Sequence, residues 1–292
     1  MRMSKKLIFA ATMVLAMMMS GATVAFSGVT VSDVAYVRGA IGPWQPEGDA
    51  ANVDAMDLAF GAGQWAYWTM AGDAGAVFDP ANGYNTVFLE GSDQDALELD
   101  AYVTAHRTAI ESWVTGGGRL LLNSAPNQGG DMDWGFGGVT LSNSNGAGTV
   151  DAVDPAHPIF NGPNAVGVTQ FTGTGFSHAT ITDTTGDVMP LITGAPGDPA
   201  EGLIVLGEMR YGVGLVLFGG MTTTNHQSPQ PDVLNLRANT LHYLHNVDLQ
   251  LHGPDDDPLC GNLIPVGGPH TAWAMAVIPL MLLGVWLVRR RV

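Results

Sequence analysis

Near the start of the chain, hydrophobic and polar positions alternate in "VTVSDVAYV", the period of two expected of a strand. "DAANVDAMDLAFGAG" follows, with Val53, Met56, Leu58 and Phe60 near helical spacing before glycine stops it. "WAYWTM" reads as a second strand. "YNTVFLEGSD" reads as a third, an apolar run that ends at Glu90-Gly91 and opens into a loop. The strongest helix runs from Asp95 to Thr115. Leu99, Tyr102, Val103, His106, Ile110, Trp113 and Val114 recur there at three- and four-residue intervals, and "GGG" at 116–118 supplies the stop. "RLLLN" is the next strand. A strand, a helix of about twenty residues and another strand imply a right-handed crossover and parallel pairing. The centre of the sheet is therefore expected to be parallel and covered on both faces.

Further along, "EGLIVLGEMRYGVGLVLFGGM" predicts two short strands around a turn at Arg210 to Gly214. "DVLNLRANTLHYLH" closes the domain as an amphipathic helix with Val233, Leu236, Leu241 and Leu244 inward. Residues 129–200 are rich in Gly, Asn, Thr, Asp and Pro, which predicts mostly loop with short strands. The fold class expected is α/β, a three-layer sandwich with a mostly parallel central sheet. One domain is expected to occupy residues 28–248.

The two ends follow other rules. Residues 1–27 carry Arg2, Lys5 and Lys6, then an apolar run from Leu7 to Met19, then small residues, the pattern of a signal peptide read by signal peptidase. At the other end "TAWAMAVIPLMLLGVWLV", residues 271–288, is free of charge and is followed by Arg289, Arg290 and Arg291. About 18 residues cover about 27 Å as a helix, enough for one bilayer span, and the arginines place its C-terminus on the cytoplasmic side. Residues 249–270 form a Pro-, Gly- and Asp-rich linker with too little apolar surface to fold.

Charge narrows the function. The chain has 27 acidic residues, and Arg38, Arg107, Arg119, Arg210 and Arg237 are its only basic residues outside the two ends. Five positive charges against 27 negative ones leave the exported part near −22, with no lysine. Such a surface repels phosphate backbones, so nucleic acid is excluded as a partner. Cys260 is the only cysteine and lies in the linker, so an intrachain disulfide and a cysteine-rich zinc site are both excluded.

The tail, arranged as linker, short span and terminal arginines, resembles bacterial C-terminal sorting signals of the PEP-CTERM type and their relatives. Ile264-Pro265 is similar to the IPTL variant and Gly267-Gly268 to the GlyGly variant, although no Pro-Glu-Pro precedes the span. The resemblance implies that an envelope protease of the exosortase or rhombosortase type removes the span. It also implies delivery to the cell surface, outer envelope or medium.

Within the domain, "YNTVFLEGSD", "WVTGGGRLLLNSAP", "DPAHPIF" and "GVGLVLFGGMTTTNH" followed by a closing helix resemble the class I glutamine amidotransferase-like fold in its ThuA-like branch. The resemblance implies a flavodoxin-like sandwich with any ligand at the C-terminal edge of the strands. In the amidotransferases that edge carries a cysteine. Here the one cysteine lies outside the domain, so glutaminase activity is excluded.

Ser124, at the end of "RLLLN", is the candidate replacement nucleophile, with His226 as base and Glu90 or Glu208 as orienting acid. "NSAPN" lacks the G-x-S-x-G elbow, and a polar serine at a strand end is the simpler account. Glu90, Asn123, Ser124, Thr223, Asn225 and His226 form a candidate ligand-binding set at the strand ends, weighed against ordinary loop hydrogen bonding. Asp131 and Asp133 are candidate oxygen ligands for Ca²⁺, without the EF-hand spacing. The sequence thus points to an exported cell-envelope protein with a non-catalytic domain for binding or surface structure. A carbohydrate-active or ester hydrolase built on Ser124, His226 and Glu90 is the alternative. For the tail, the expected outcome is a mature protein lacking residues 271–292. Intact-mass measurement of the envelope or secreted form checks it: a C-terminus still ending at Val292 means a permanent anchor.

Overall fold

Five strands run parallel in one half of the sheet, in the spatial order β2 (Ala66–Thr69), β1 (Val34–Arg38), β3 (Thr86–Glu90), β4 (Arg119–Asn123) and β12 (Gly214–Gly219). The computed structural model describes residues 33–39 and 50–249. Helix α1 (Ala51–Phe60) lies between β1 and β2 in the chain, and α3 (Ala96–Thr115) between β3 and β4. Each helix gives the chain the length to return and start the next strand in the same direction. A single helical turn, α2 (Met70–Asp73), follows β2, and α4 (Asp232–Asn246) closes the domain.

The other half of the sheet is antiparallel. From β12 it continues through β11 (Ile204–Tyr211), β10 (Met189–Gly194), β7 (Thr149–Ala152), β8 (Gln170–Gly173) and β13 (Gln227–Ser228). A branch leaves β11 through β9 (Thr180–Asp183) to β6 (Val139–Ser142) and β5 (Met132–Gly135). The sheet is therefore mixed, and the expectation of a mostly parallel one is corrected. The cause lies in residues 129–200, which supply the six strands β5 to β10. No helix intervenes among them, so they pair antiparallel.

The hairpin expected around Arg210 to Gly214 is present. Gly212 turns it with φ 62°, and a Cβ there would lie 2.7 Å from the Thr115 Cα, so the turn both needs the left-handed conformation and lies tight against the end of α3.

Alternation along the central strands sorts the core into two layers, which makes the architecture three-layered. Val37, Val87, Leu89, Leu120, Leu122, Val216 and Phe218 pack under Leu99, Val103, Ile110, Trp113 and Val114 of α3. Tyr36, Phe88, Leu121, Leu215 and Leu217 face the other way, toward Ala55 and Met56 of α1 and Val233, Leu236, Leu241 and Leu244 of α4. The inward face of α4 is the one its spacing predicts. That of α1 is not: Ala51, Asn52, Ala55 and Met56 are buried, while Leu58 is exposed. A polar residue, Asn52, thus sits on a buried helical face.

Among the described residues no helix is long and apolar enough to cross a membrane. The predicted signal peptide 1–27, the span 271–288, Cys260 and Arg289, Arg290 and Arg291 all lie outside the described residues, as does the linker except Leu249. Phe88 is the test of the α1/α4 layer. It is fully buried, stacks on Tyr36 at 4.8 Å and lies 5.8 Å below the Arg237 guanidinium. Phe88→Ala is expected to cost about 3–5 kcal/mol in urea unfolding, whereas Leu97→Ala, at an exposed position, is expected to change stability by less than about 0.5 kcal/mol.

Candidate ligand-binding site

One step beyond Tyr36, Phe88 and Leu121 on the same face come Arg38, Glu90 and Asn123, where the parallel strands end. Period-two alternation therefore points Glu90 and Asn123 into the α1/α4 layer rather than into solvent. Glu90 is 1 % exposed and Asn123 fully buried. The Glu90 carboxylate accepts from Asn52 Nδ2 at 2.5 Å, from Asn123 Nδ2 at 3.2 Å and from the Ser92 hydroxyl. Asn52 Oδ1 in turn accepts from Arg237 at 3.1 Å, and a second Arg237 nitrogen donates to the Thr222 carbonyl at 2.9 Å. Asn123 closes the circuit by donating to the Met221 carbonyl and accepting from the Met221 amide.

Burial dominates the electrostatics of this network. It pushes Glu90 above its usual value, against the pull of Arg237, Ser92, Asn123 and Asn52. Burial likewise lowers Arg237, and it raises Tyr36, with Glu90 adding to the rise. Glu90 and Arg237 are joined through the Asn52 side chain, so the two charges share a neutral bridge.

Above the network lies a cavity of about 250 Å³. Ser92 and Asp93, after β3, and Ala125 and Asn127, after β4, form one wall. Thr222, Thr223 and His226, after β12, form a second, and Thr174, Gly175 and His178, between β8 and β9, the third. The third wall is held by close backbone approach. The His178 amide donates to the Gly220 carbonyl at 3.1 Å, and a Cβ on Gly220 would lie 2.0 Å from the Ala179 carbonyl oxygen. Asp93 has φ 51°, a left-handed conformation that Asp tolerates better than most residues, and its carboxylate accepts from the Asn127 side chain. The His178 ring is held below its usual value by burial, against the opposing effects of its bond to the Ala125 carbonyl and of Asp93.

The sequence candidates divide between the two levels. Thr223 and His226 line the cavity, and Asn225, exposed beside it, accepts from the Thr223 hydroxyl at 2.6 Å. Glu90 and Asn123 lie in the network underneath. Ser124 is fully buried and gives its hydroxyl to the Gly91 carbonyl, while its amide donates to the Gly219 carbonyl at 2.9 Å. That is the strand-end role, in which the hydroxyl stitches β3 to β4.

Glu208 belongs to a different cluster. It sits two positions below the strand edge on β11, accepts from Tyr243 at 2.9 Å and lies 3.7 Å from His157. Of the calcium candidates, Asp133 pairs with Arg107 at 2.8 Å, and Asp131 accepts from the Asn143 amide. Among the described residues no group of three or more His, Cys, Asp or Glu side chains is gathered to hold a metal ion.

Asn52, Ser92, Asp93, Asn127, Thr174, His178 and Arg237 were not singled out by the sequence as parts of a site. One signal was available for Arg237, which stands four residues after Val233 on the apolar face of α4. For the β8–β9 wall there was none, because only tertiary pairing brings it to the strand ends.

No family model matches the chain, and no curated protein matches it. Solved structures do. A ThuA-like protein from Bacteroides uniformis is similar with a TM-score of 0.46 and 12% identity over 77% of this chain and 95% of that one. A β-galactosidase from Rahnella sp. R3 is similar with a TM-score of 0.44 and 14% identity over 72% of this chain, and one from the haloarchaeon Halorubrum lacusprofundi with 0.40 and 17% over 72%. This chain spans about 30% of the length of each galactosidase.

Glu90 makes the network sensitive to pH. Its folded-state value lies above the usual 4.5, so between the two values the folded protein holds a proton that the unfolded chain has released. Glu90 therefore contributes stability that is lost as pH rises through that window. In urea unfolding across a pH series, the wild type is expected to lose stability relative to Glu90→Gln as pH increases from about 4.5 upward. A difference that is flat with pH, or of the opposite slope, contradicts the assignment.

Proposed function

We propose that this chain is an exported cell-envelope protein whose α/β domain binds a small polar ligand at the strand edge without catalysing a reaction. The observation that carries the reading is the division between the two levels of the site. The groups that hydrolysis would use as nucleophile and acid, Ser124 and Glu90, are buried and committed to internal hydrogen bonds, below a cavity lined by polar side chains. A serine that donates to a main-chain carbonyl inside the fold has neither the exposure nor the general base that acyl or glycosyl transfer needs. The cavity instead offers convergent polar contacts on three rigid walls, the usual form of a small-molecule site.

Export is supported by the patterns of residues 1–27 and 271–291 and by the acidic, lysine-free composition between them. In this reading signal peptidase releases the N-terminus, and an exosortase- or rhombosortase-type protease acts at the tail, with Arg289, Arg290 and Arg291 as its cytoplasmic stop. The domain then displays its pocket at the cell surface or beyond.

Thr174 lies exposed on the cavity rim, so a large side chain there can fill the cavity without entering the core. A saturation-transfer NMR screen of small polar compounds is expected to find ligands for the wild type that Thr174→Trp no longer binds, with an unchanged unfolding midpoint. Ligands that bind both proteins equally place recognition elsewhere. Turnover of chromogenic esters or glycosides that Thr174→Trp abolishes would replace binding with catalysis.

A further inference from the structure

The polar groups around the cavity have mostly spent their protons. The Asn127 carboxamide donates to Asp93, the Thr222 hydroxyl to the Gly175 carbonyl at 2.8 Å, and the Thr223 hydroxyl to Asn225 at 2.6 Å. The His178 ring bonds the Ala125 carbonyl, and its Nδ1 is left without a hydrogen-bond partner. A neutral imidazole that donates through one nitrogen presents a lone pair on the other. What remains facing the cavity is led by acceptors, the Asp93 carboxylate and the Thr222 oxygen, while the His178 Nδ1 lone pair is itself shut away from solvent.

Charge points the same way. Asp93 is 8 % exposed, and no arginine or lysine lines the cavity. The nearby Arg237 guanidinium is occupied by Asn52 and the Thr222 carbonyl. A ligand that carries a cation gives the Asp93 carboxylate the charge partner that the cavity walls do not supply as arginine or lysine.

Resting on the binding role proposed above, we infer that the ligand is a small hydroxylated amine. Its ammonium group donates to Asp93, and a neighbouring hydroxyl donates to Thr222. An ammonium carries three donors and no acceptor, the complement of this wall. An anionic ligand meets both Asp93 and the acidic field of the domain, whereas a cation is drawn in by that field. A neutral polyol satisfies the hydroxyl oxygens but leaves Asp93 unbalanced.

Matched pairs test the assignment by calorimetry on the full chain in neutral detergent: glucosamine against glucose, and ethanolamine against ethylene glycol, with gluconate and calcium chloride alone as further arms. In at least one pair the amine is expected to bind at least about tenfold more tightly than its neutral partner, a difference of about 1.4 kcal/mol, and more weakly as salt is raised. Asp93→Asn is expected to remove the preference. Asn adopts the left-handed conformation of this position readily, so the variant keeps the backbone; Asp93→Gly is the second variant should it misfold. Glucose or ethylene glycol binding as tightly as its amine, or binding by gluconate alone, overturns the amine assignment and leaves the binding role standing. Calcium binding that depends on Asp93 and excludes the amines overturns it in favour of a metal. Silence from every compound overturns the amine assignment, and ligands from the wider screen that Thr174→Trp still binds remove the pocket itself.

Discussion

A carboxylate shut away from water governs the upper half of this domain. Glu90 ends the central strand β3 on the face that α1 and α4 cover, and an unpartnered carboxylate there would cost several kcal/mol. The fold surrounds it with Asn52 from α1, Asn123 from β4 and Ser92 from its own loop, and places Arg237 of α4 one side chain away. Each of these contacts ties a separate element to the strand ends. Removing Arg237 alone would leave Glu90 with less compensation, whereas apolar replacements of similar volume at both positions need not destabilise, because burial penalises both charges.

The same network shapes the cavity above it. Arg237 holds the Thr222 carbonyl, Asn123 holds Met221 by both its polar atoms, and Ser92 is fixed between Glu90 and the Ala125 amide. Two of the three cavity walls therefore rest on buried hydrogen bonds that lead back to the Arg237 guanidinium and the Glu90 carboxyl group. The third wall rests on glycine: without a side chain at Gly220, the β8–β9 loop comes within main-chain bonding distance of the residue that follows β12. A pocket preorganised in this way loses little side-chain freedom when a ligand enters, which favours binding by a small molecule.

The mixed sheet explains how the antiparallel half contributes to a site at a parallel edge. In the parallel half every strand ends at the same edge, so Glu90 and Asn123 arrive there together in register. The antiparallel strands β8 and β9 bring their connecting loop to that edge as well, and it carries His178.

Local pattern alone determined the elements of the parallel half and the closing helix, because hydrophobic period follows directly from how a strand or helix meets a core. It also determined that Thr223 and His226 stand just past a buried strand, and that no thiol is available to the domain. It could not determine which way Glu90, Asn123 and Ser124 point, because a run that is buried on both faces carries no alternation to reveal the sides. Nor could it reveal that Asn52 faces inward, and for Arg237 it offered only the four-residue spacing from Val233. Their inward placement depends on partners 38 and 185 residues apart in the chain, Asn52 from Glu90 and Arg237 from Asn52. The weakly patterned stretch 129–200 was legible only as turns and short strands, and its pairing was decided by long-range hydrogen bonds. The cavity is likewise a tertiary fact: its walls come from four separate loops that meet only in the folded chain.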